Sequence, residues 1–311
     1  MPTAISGGGR IATNTPAENA YNAMEISNRD ISLRQLRLST GKKINSAADD
    51  VAGYITSNAL TARNGTLKAA LNAVGDASNL SNIIMDSLDN IAQLITTIKD
   101  STAQAASGAM GTDEKVALAK AAYRMIQQIQ TVVDTTVFGG RQLLDGGFST
   151  DFVIGSNASH NLITIGIDLT NTNIDFNVQS RNFEVNSLSS TIFAGVTNLD
   201  MRAFNDISAT NLGIFSSDNI TVTLASLANA EDNVNKVASY MGGIVNRLTS
   251  QENLIKGQTT NYDAAISRIE DSDTAKEQLE LVKSQFLQQA SLLSLAQANQ
   301  NPQSFLKLIQ G

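Results

Sequence analysis

The stretch LKAALNAVGDASNLSNIIMDSLDNIAQLITTIKDSTAQA, residues 67–105, decides the fold. Leu67, Ala70, Val74, Ala77, Ser81, Ile84, Leu88, Ile91, Ile95, Ile98, Thr102 and Ala105 recur at alternating intervals of three and four, the core register of a heptad. Ten of these twelve are apolar, where a chain-wide hydrophobic fraction of 42% would place roughly five. Far downstream the rule returns at Leu227, Ala230, Val234, Val237, Met241, Ile244, Leu248, Gln251, Ile255, Gln258, Tyr262, Ala265 and Ile269. Two long amphipathic helices lower their free energy by covering each other's ridges, since exposed apolar surface costs about 25 cal/mol per Å². The expected fold is therefore mainly α: a long antiparallel helical bundle from which the chain departs and to which it returns.

Composition narrows the rest. The 311 residues contain no Trp and no Cys, three Pro and 5% aromatics, which favours helical rods and excludes disulfides, thiolate metal sites and a thiol nucleophile. A net charge of −7 argues against a nucleic-acid partner. Residues 1–12 hold Gly7-Gly8-Gly9 and Arg10 but no apolar run, so they do not read as a cleavable secretory signal. No window reaches eighteen apolar residues, so membrane insertion is not expected.

Reading along the chain, Thr15-Pro16-Ala17-Glu18 suggests a helix start with Thr15 as cap. Ala17, Met24, Ile31 and Leu38 then recur every seven residues up to a stop near Gly41. Ser46 to Asp49 opens the next helix, which would be on the order of 90 Å long if unbroken to about Ala106. Gly108, Gly111 and Thr112 turn the chain into a third helix, roughly 113–135, with Val116, Ala119, Tyr123, Ile126, Ile129 and Val133 on one side. Phe152-Val153-Ile154 and Leu162 to Ile167 read as strands about a turn at Ser156 to Asn161. Residues 170–223 are rich in Asn, Ser and Thr with β-prone runs such as Ile220-Thr221-Val222-Thr223, and are the least specified region. After an interruption at 268–273, Thr274-Ala275-Lys276-Glu277 offers a second capping box. Leu279, Val282, Phe286, Leu293 and Ala296 carry an apolar ridge up to a stop expected at Asn301-Pro302, followed by the short apolar tail Phe305 to Ile309. Gly242-Gly243 and Gly257 inside a long helix either permit close packing or bending, or are tolerated.

Both ends now resemble bacterial flagellin. Leu38-Ser39-Thr40-Gly41-Lys42-Lys43-Ile44-Asn45-Ser46-Ala47-Ala48-Asp49-Asp50-Val51-Ala52-Gly53 is similar to that family's N-terminal signature. Ser267-Arg268-Ile269-Glu270-Asp271-Ser272-Asp273, Gln288-Gln289-Ala290 and Leu295-Ala296-Gln297-Ala298-Asn299-Gln300 are similar to its C-terminal one. Thr136 to Leu144 resembles its post-helix turn, with Gly139 where asparagine is usual. The resemblance implies a secreted structural subunit of the extracellular flagellar filament, exported unfolded and assembled into a helical homopolymer. Residues 1–45 and 271–311 would form an inner coiled-coil domain, and 46–170 with 224–270 a helical core carrying a β-hairpin. Residues 171–223 would be a short variable segment facing outward. It further implies other flagellins, hook-associated and cap proteins, an export chaperone and the export apparatus as partners. Polymerisation would run through Ala17, Met24, Ile31, Leu38, Leu279, Val282, Phe286, Leu293 and Ala296. Core packing would run through Leu67, Val74, Ile84, Leu88, Ile91, Ile95, Ile98, Leu227, Val234, Val237, Met241, Ile244, Leu248 and Ile255. The alternatives are the hook-filament junction protein, which shares a similar start, and a secreted helical adhesin binding through 170–223.

Enzymatic chemistry is not expected. The single histidine, His160, falls in a turn, and no P-loop or paired-histidine zinc motif appears. Asp49-Asp50 and Glu270 to Asp273 could serve as metal carboxylates but read better as helix-end residues contacting Arg or amides, and no cofactor is implied. Asn64-Gly65-Thr66, Asn157-Ala158-Ser159 and Asn219-Ile220-Thr221 fit the N-glycosylation pattern, which an Asn-rich chain produces by chance.

Overall fold

A computed structural model describes residues 13–156, 162–186 and 192–310, with side chains described as far as residue 300. Gly7-Gly8-Gly9, Arg10, the Asn157 sequon, His160 and the side chains of the Phe305 to Ile309 tail lie outside the described set. The helices are α1 (Thr15–Thr40), α2 (Val51–Ala105), α3 (Thr112–Thr135), α4 (Ile220–Glu270) and α5 (Thr274–Gln310). Antiparallel pairs β1 (Val137–Phe138) with β2 (Arg141–Gln142), β3 (Ser149–Ser156) with β4 (Leu162–Asp168), and β5 (Ile192–Phe193) with β6 (Val196–Thr197) complete the framework. The chain divides into two compact units, residues 1–64 with 260–311, and residues 65–259.

The second unit is built on the heptad ridges. Val74, Ala77, Ser81, Ile84, Leu88, Ile91, Ile95, Ile98 and Thr102 are fully buried, and so are Leu227, Ala230, Val234, Val237, Met241, Leu248 and Ile255. α2 and α4 meet through polar contacts as well, Thr96 and Lys99 both reaching Glu231. Late in α4 the register departs from expectation. Gln258 is exposed and Thr259 is buried in its place, so the step after Ile255 is four residues and the seam rotates slightly. α3 adds Ala119, Ala122, Ile126, Ile129 and Val133 to the same core, and Ser87 and Thr136 share a hydrogen bond of 2.9 Å at its end. Gly139-Gly140, both at positive φ, make the two-residue turn of the β1–β2 hairpin.

Within residues 170–186 and 192–219, the region least specified by the sequence, an aromatic core is packed. Phe176, Phe193, Phe204 and Phe215 are fully buried. Phe176 stands edge-on to Phe183 at 5.8 Å and to Tyr240 of α4 at 5.3 Å, and Phe204 edge-on to Phe215 at 5.6 Å. The turn between β5 and β6 is pinned by Asn233, a buried α4 residue whose Nδ2 donates to the Ala194 carbonyl at 2.8 Å. Gly195 sits at φ +76°, where a Cβ would lie 2.0 Å from Val178 Cγ1. The β-prone run Ile220 to Thr223 is the first turn of α4, not a strand. Ile220 is buried there and the Thr223 hydroxyl donates to the Ile214 and Asn219 carbonyls, so tertiary contacts override intrinsic preference.

Helix starts also differ in detail. Asn14, not Thr15, caps α1, its Oδ1 accepting from Ala17 N at 3.2 Å; Gly41 ends that helix at φ +70°, its N–H donating to the Arg37 carbonyl at 2.9 Å. Asp50 Oδ1 accepts from Gly53 N at 3.0 Å at the head of α2, while Ser46 donates to Asp49. Asp273 Oδ1 accepts from Ala275 N and Lys276 N at the head of α5, which frees Glu277 for another partner. At α1 and α5 the asparagine or aspartate one residue before the expected cap reaches the free amides, and at α2 the aspartate one residue after the expected Ser46–Asp49 opening does so. α5 does not stop at Asn301-Pro302 but continues to Gln310. Gly242, Gly243 and Gly257 have open space where a Cβ would sit, so no contact within the described structure requires glycine there.

Candidate assembly interface

In the first unit α1 and α5 lie antiparallel. Arg34 meets Glu277, Asn28 accepts from Gln288 Nε2 at 2.5 Å, and Asn14 meets Ala298. The seam alternates by threes and fours on both sides: Ala17, Ala20, Met24, Ser27, Ile31, Arg34 and Leu38 on α1, and Glu277, Leu281, Ser284, Gln288, Ser291, Leu295 and Ala298 on α5. Its residues are mostly small or polar, so the backbones approach closely while little apolar area leaves water. Among the described residues of this unit the buried apolar side chains are Ala20, Ile44, Leu281 and Ala298. That contrasts with the Ile-, Leu- and Val-rich stripes of the second unit, so little burial of apolar surface holds α1 to α5.

The residues expected to serve polymerisation fall into two groups. Ala17, Met24, Ile31 and Leu38 are half-buried in the α1–α5 seam. Leu279, Val282, Phe286, Leu293 and Ala296 are on the other side of α5, facing solvent, with Leu279 and Phe286 each 67% exposed, Leu293 72% and Val282 40%. Leu287 and Leu292 are also exposed, as are Tyr21, Ile26 and Leu36 of α1. A run of large apolar side chains in water on one helix is the mark of a surface completed by a partner. The residues expected in core packing are brought together in the second unit, where all are buried except Leu67, which is partly so.

Charges fix the seam where α1 ends and α5 begins. Arg34 Nη1 lies 2.8 Å from Glu277 Oε2 and Arg37 Nη1 3.4 Å from Oε1, leaving both Nε atoms buried without a hydrogen-bond partner. Burial resists ionisation of Glu277, but the hydrogen bond and charge of Arg34, with Arg37, outweigh it and hold the carboxyl below the usual glutamate range. The loop after α1 is tied down in turn. Lys43 N donates to the Glu270 carbonyl at 2.7 Å and Ser272 N to that of Gly41 at 2.9 Å. Lys42 pairs with buried Glu270 at 2.5 Å, and hydrogen bonds from Lys42 and then Ser57 lower that carboxyl's pKa. Asp49 is likewise lowered, by the backbone amides of Asn45 and Ser46. Of the carboxylates considered as metal ligands, Asp49, Asp50 and Asp273 accept from backbone amides, Glu270 pairs with Lys42 and Asp271 accepts from the Ser267 hydroxyl, and among the described residues no cluster of three metal-ligating groups occurs. Asn64 of one sequon is a buried helical residue hydrogen-bonded to Asp263, so it is not open to modification; Asn219 Nδ2 donates to the Gly213 carbonyl at 3.2 Å. No described helix is long and apolar enough to cross a membrane.

Sequence reasoning missed Asn14, Arg34, Arg37 and Asn233, and read Glu277 as part of a capping box rather than as the partner of the two arginines. Arg34 and Glu277 occupy heptad positions and could have been found by following the register through polar residues; no local signal marked Arg37 or Asn233.

Comparison with known proteins agrees with the helical pattern. Residues 11–149 match the model of the bacterial flagellin N-terminal helical region, and residues 224–309 that of the bacterial flagellin C-terminal helical region. The chain is 28% identical over 309 residues to the flagellin of Bacillus subtilis strain 168, covering 97% of this chain and 100% of the relative. It is 26% identical over 375 residues to flagellin A of Vibrio cholerae, covering 96% and 99%. A solved chain described as a flagellar hook-associated protein from Vibrio parahaemolyticus superimposes with a TM-score of 0.57 at 13% identity, over 72% of this chain and all of the other, a likeness of fold alone. With both terminal regions matched and relatives aligned along nearly its whole length, the chain belongs to the bacterial flagellin family.

Proposed function

We propose that copies of this chain polymerise through the uncovered stripe of α5 and the adjoining face of α1. As a flagellin the chain is a structural subunit of the extracellular flagellar filament. The observation that carries the finer reading is the contrast between its two units. The helical core buries its own ridges, whereas α1 and α5 share a thin seam and leave Leu279, Phe286 and Leu293 in water. Neighbouring copies supply the missing wall, and a contact whose rotation does not close gives an open helical polymer. The role is mechanical and involves no catalysis. The same weak pairing lets the terminal helices pass unfolded through an export channel before they order on assembly. Other flagellins, hook-associated and cap proteins, an export chaperone and the export apparatus are its partners in this reading.

The test is the Leu279→Ser, Phe286→Ser, Leu293→Ser triple variant in the full chain. It should retain the helical content and melting of the 65–259 unit yet form no filaments by electron microscopy. Filaments of normal length from that variant would sink the proposal.

A further inference from the structure

An α-helix that runs through a proline has a carbonyl with no donor, because the residue four positions later has no N–H. In α5 that residue is Pro302, and the carbonyl left over is that of Ala298, a buried residue at the α1 seam where water does not readily replace the donor. The Asn14 side chain fills the vacancy: its Nδ2 donates to the Ala298 carbonyl at 2.9 Å. The same side chain caps α1, with Oδ1 accepting from Ala17 N at 3.2 Å, while the Asn14 carbonyl accepts from Glu18 N at 3.1 Å. Serine or aspartate could make the cap equally well. The amide does both from two separate atoms of one side chain, Oδ1 accepting at the α1 terminus and Nδ2 donating to α5, whereas an ionised aspartate has no donor and a serine hydroxyl at the cap is too short to reach α5.

We propose that Asn14 is a positioning residue that locks the start of α1 to the last turns of α5, supplying in trans the hydrogen bond that Pro302 removes. The helical course of α5 beyond Ala298 then depends on α1 being docked. When α1 is away, the orphaned carbonyl favours ending the helix at the proline. The two chain ends thereby order together rather than one after the other.

The test is a cycle of four full-length chains: wild type, Asn14→Ser, Pro302→Ala and the double variant. Serine keeps the cap but is too short to reach Ala298, and alanine at 302 restores the helix's own N–H donor. In the Pro302 background Asn14→Ser should raise the critical concentration for filament growth about fivefold, the value of one net hydrogen bond. In the Pro302→Ala background the same change should leave it within about twofold. Recovery of assembly by the double variant, where Asn14→Ser alone does not assemble, supports the lock. An equal rise in both backgrounds, including equal loss of assembly, overturns it. This arm rests on the filament reading, so amide exchange over residues 299–310 is followed in the same four chains as an independent readout. Faster exchange in Asn14→Ser that Pro302→Ala cancels supports the lock, and no difference refutes it. Failure of the wild type to polymerise counts against the filament reading and leaves the exchange result to decide the lock.

Discussion

Arg34 Nη1 lies 2.8 Å from Glu277 Oε2 across 243 residues of sequence, and Arg37 joins it on the second carboxylate oxygen. Removing the carboxylate would leave two guanidinium groups largely out of water with no partner. Glu277→Ala should therefore destabilise the α1–α5 pair by about 2 kcal/mol, less than the roughly 3–5 kcal/mol of a fully buried pair because both arginines keep some solvent contact. The thermal depolymerisation temperature of filaments measures it, and an unchanged midpoint would show that the pair contributes nothing.

The sign of the acid response follows from the same group. Glu277, Glu270 and Asp49 all have pKa values lowered in the folded chain, so their stabilisation is fully present above the unfolded carboxylate values and is lost as pH falls through the folded ones. Filaments should hold from neutral pH down to about pH 5 and dissociate as the pH drops below about 4. Glu277→Gln, which cannot titrate, should make dissociation less steep on the acid side; an unaltered pH profile would mean that dissociation is governed elsewhere.

The middle segment should behave as core. Gly195→Ala places a methyl against Val178 in a left-handed backbone and should destabilise the 65–259 unit by more than about 1 kcal/mol, whereas Gly243→Ala, in open space within α4, should stabilise by up to about 1 kcal/mol. Calorimetry of both variants checks the pair. A loss at Gly243→Ala in filaments alone would place that glycine in a contact between copies.

Asn233→Leu keeps the bulk of the side chain while removing the donor to the Ala194 carbonyl, and should cost about 1–3 kcal/mol. Loosening should appear first as faster amide exchange at β5 and β6. Unaltered exchange there would show that aromatic packing alone holds the turn.

How much of this was legible follows from which residues do the work. The α2 and α4 ridges from Leu67 to Ala105 and from Leu227 to Ile255 were readable because apolar periodicity is local and those positions face one core. The α1–α5 seam was half legible: Ala17, Met24, Ile31 and Leu38 show by period, whereas Arg34, Ser27, Glu277 and Gln288 hide at the same positions behind polar identities. The aromatic core of 170–219 was obscured by Asn, Ser and Thr. A signal was present, since Phe176, Phe183, Phe193, Phe204 and Phe215 are half of the chain's ten phenylalanines. The course of α5 through Pro302 was not legible at all, because the group that takes up the freed carbonyl comes from Asn14 at the other end of the chain.

Hydrogen exchange of the full-length chain, read first as dilute monomer and then as filament, bears most directly on how the terminal helices come to be ordered. Amides of residues 15–40 and 274–310 should be only weakly protected in the monomer, while those of 70–102 and 227–255 are strongly protected, and should gain strong protection only in the polymer. Strong protection of α1 and α5 in the lone chain would contradict a surface that other copies complete.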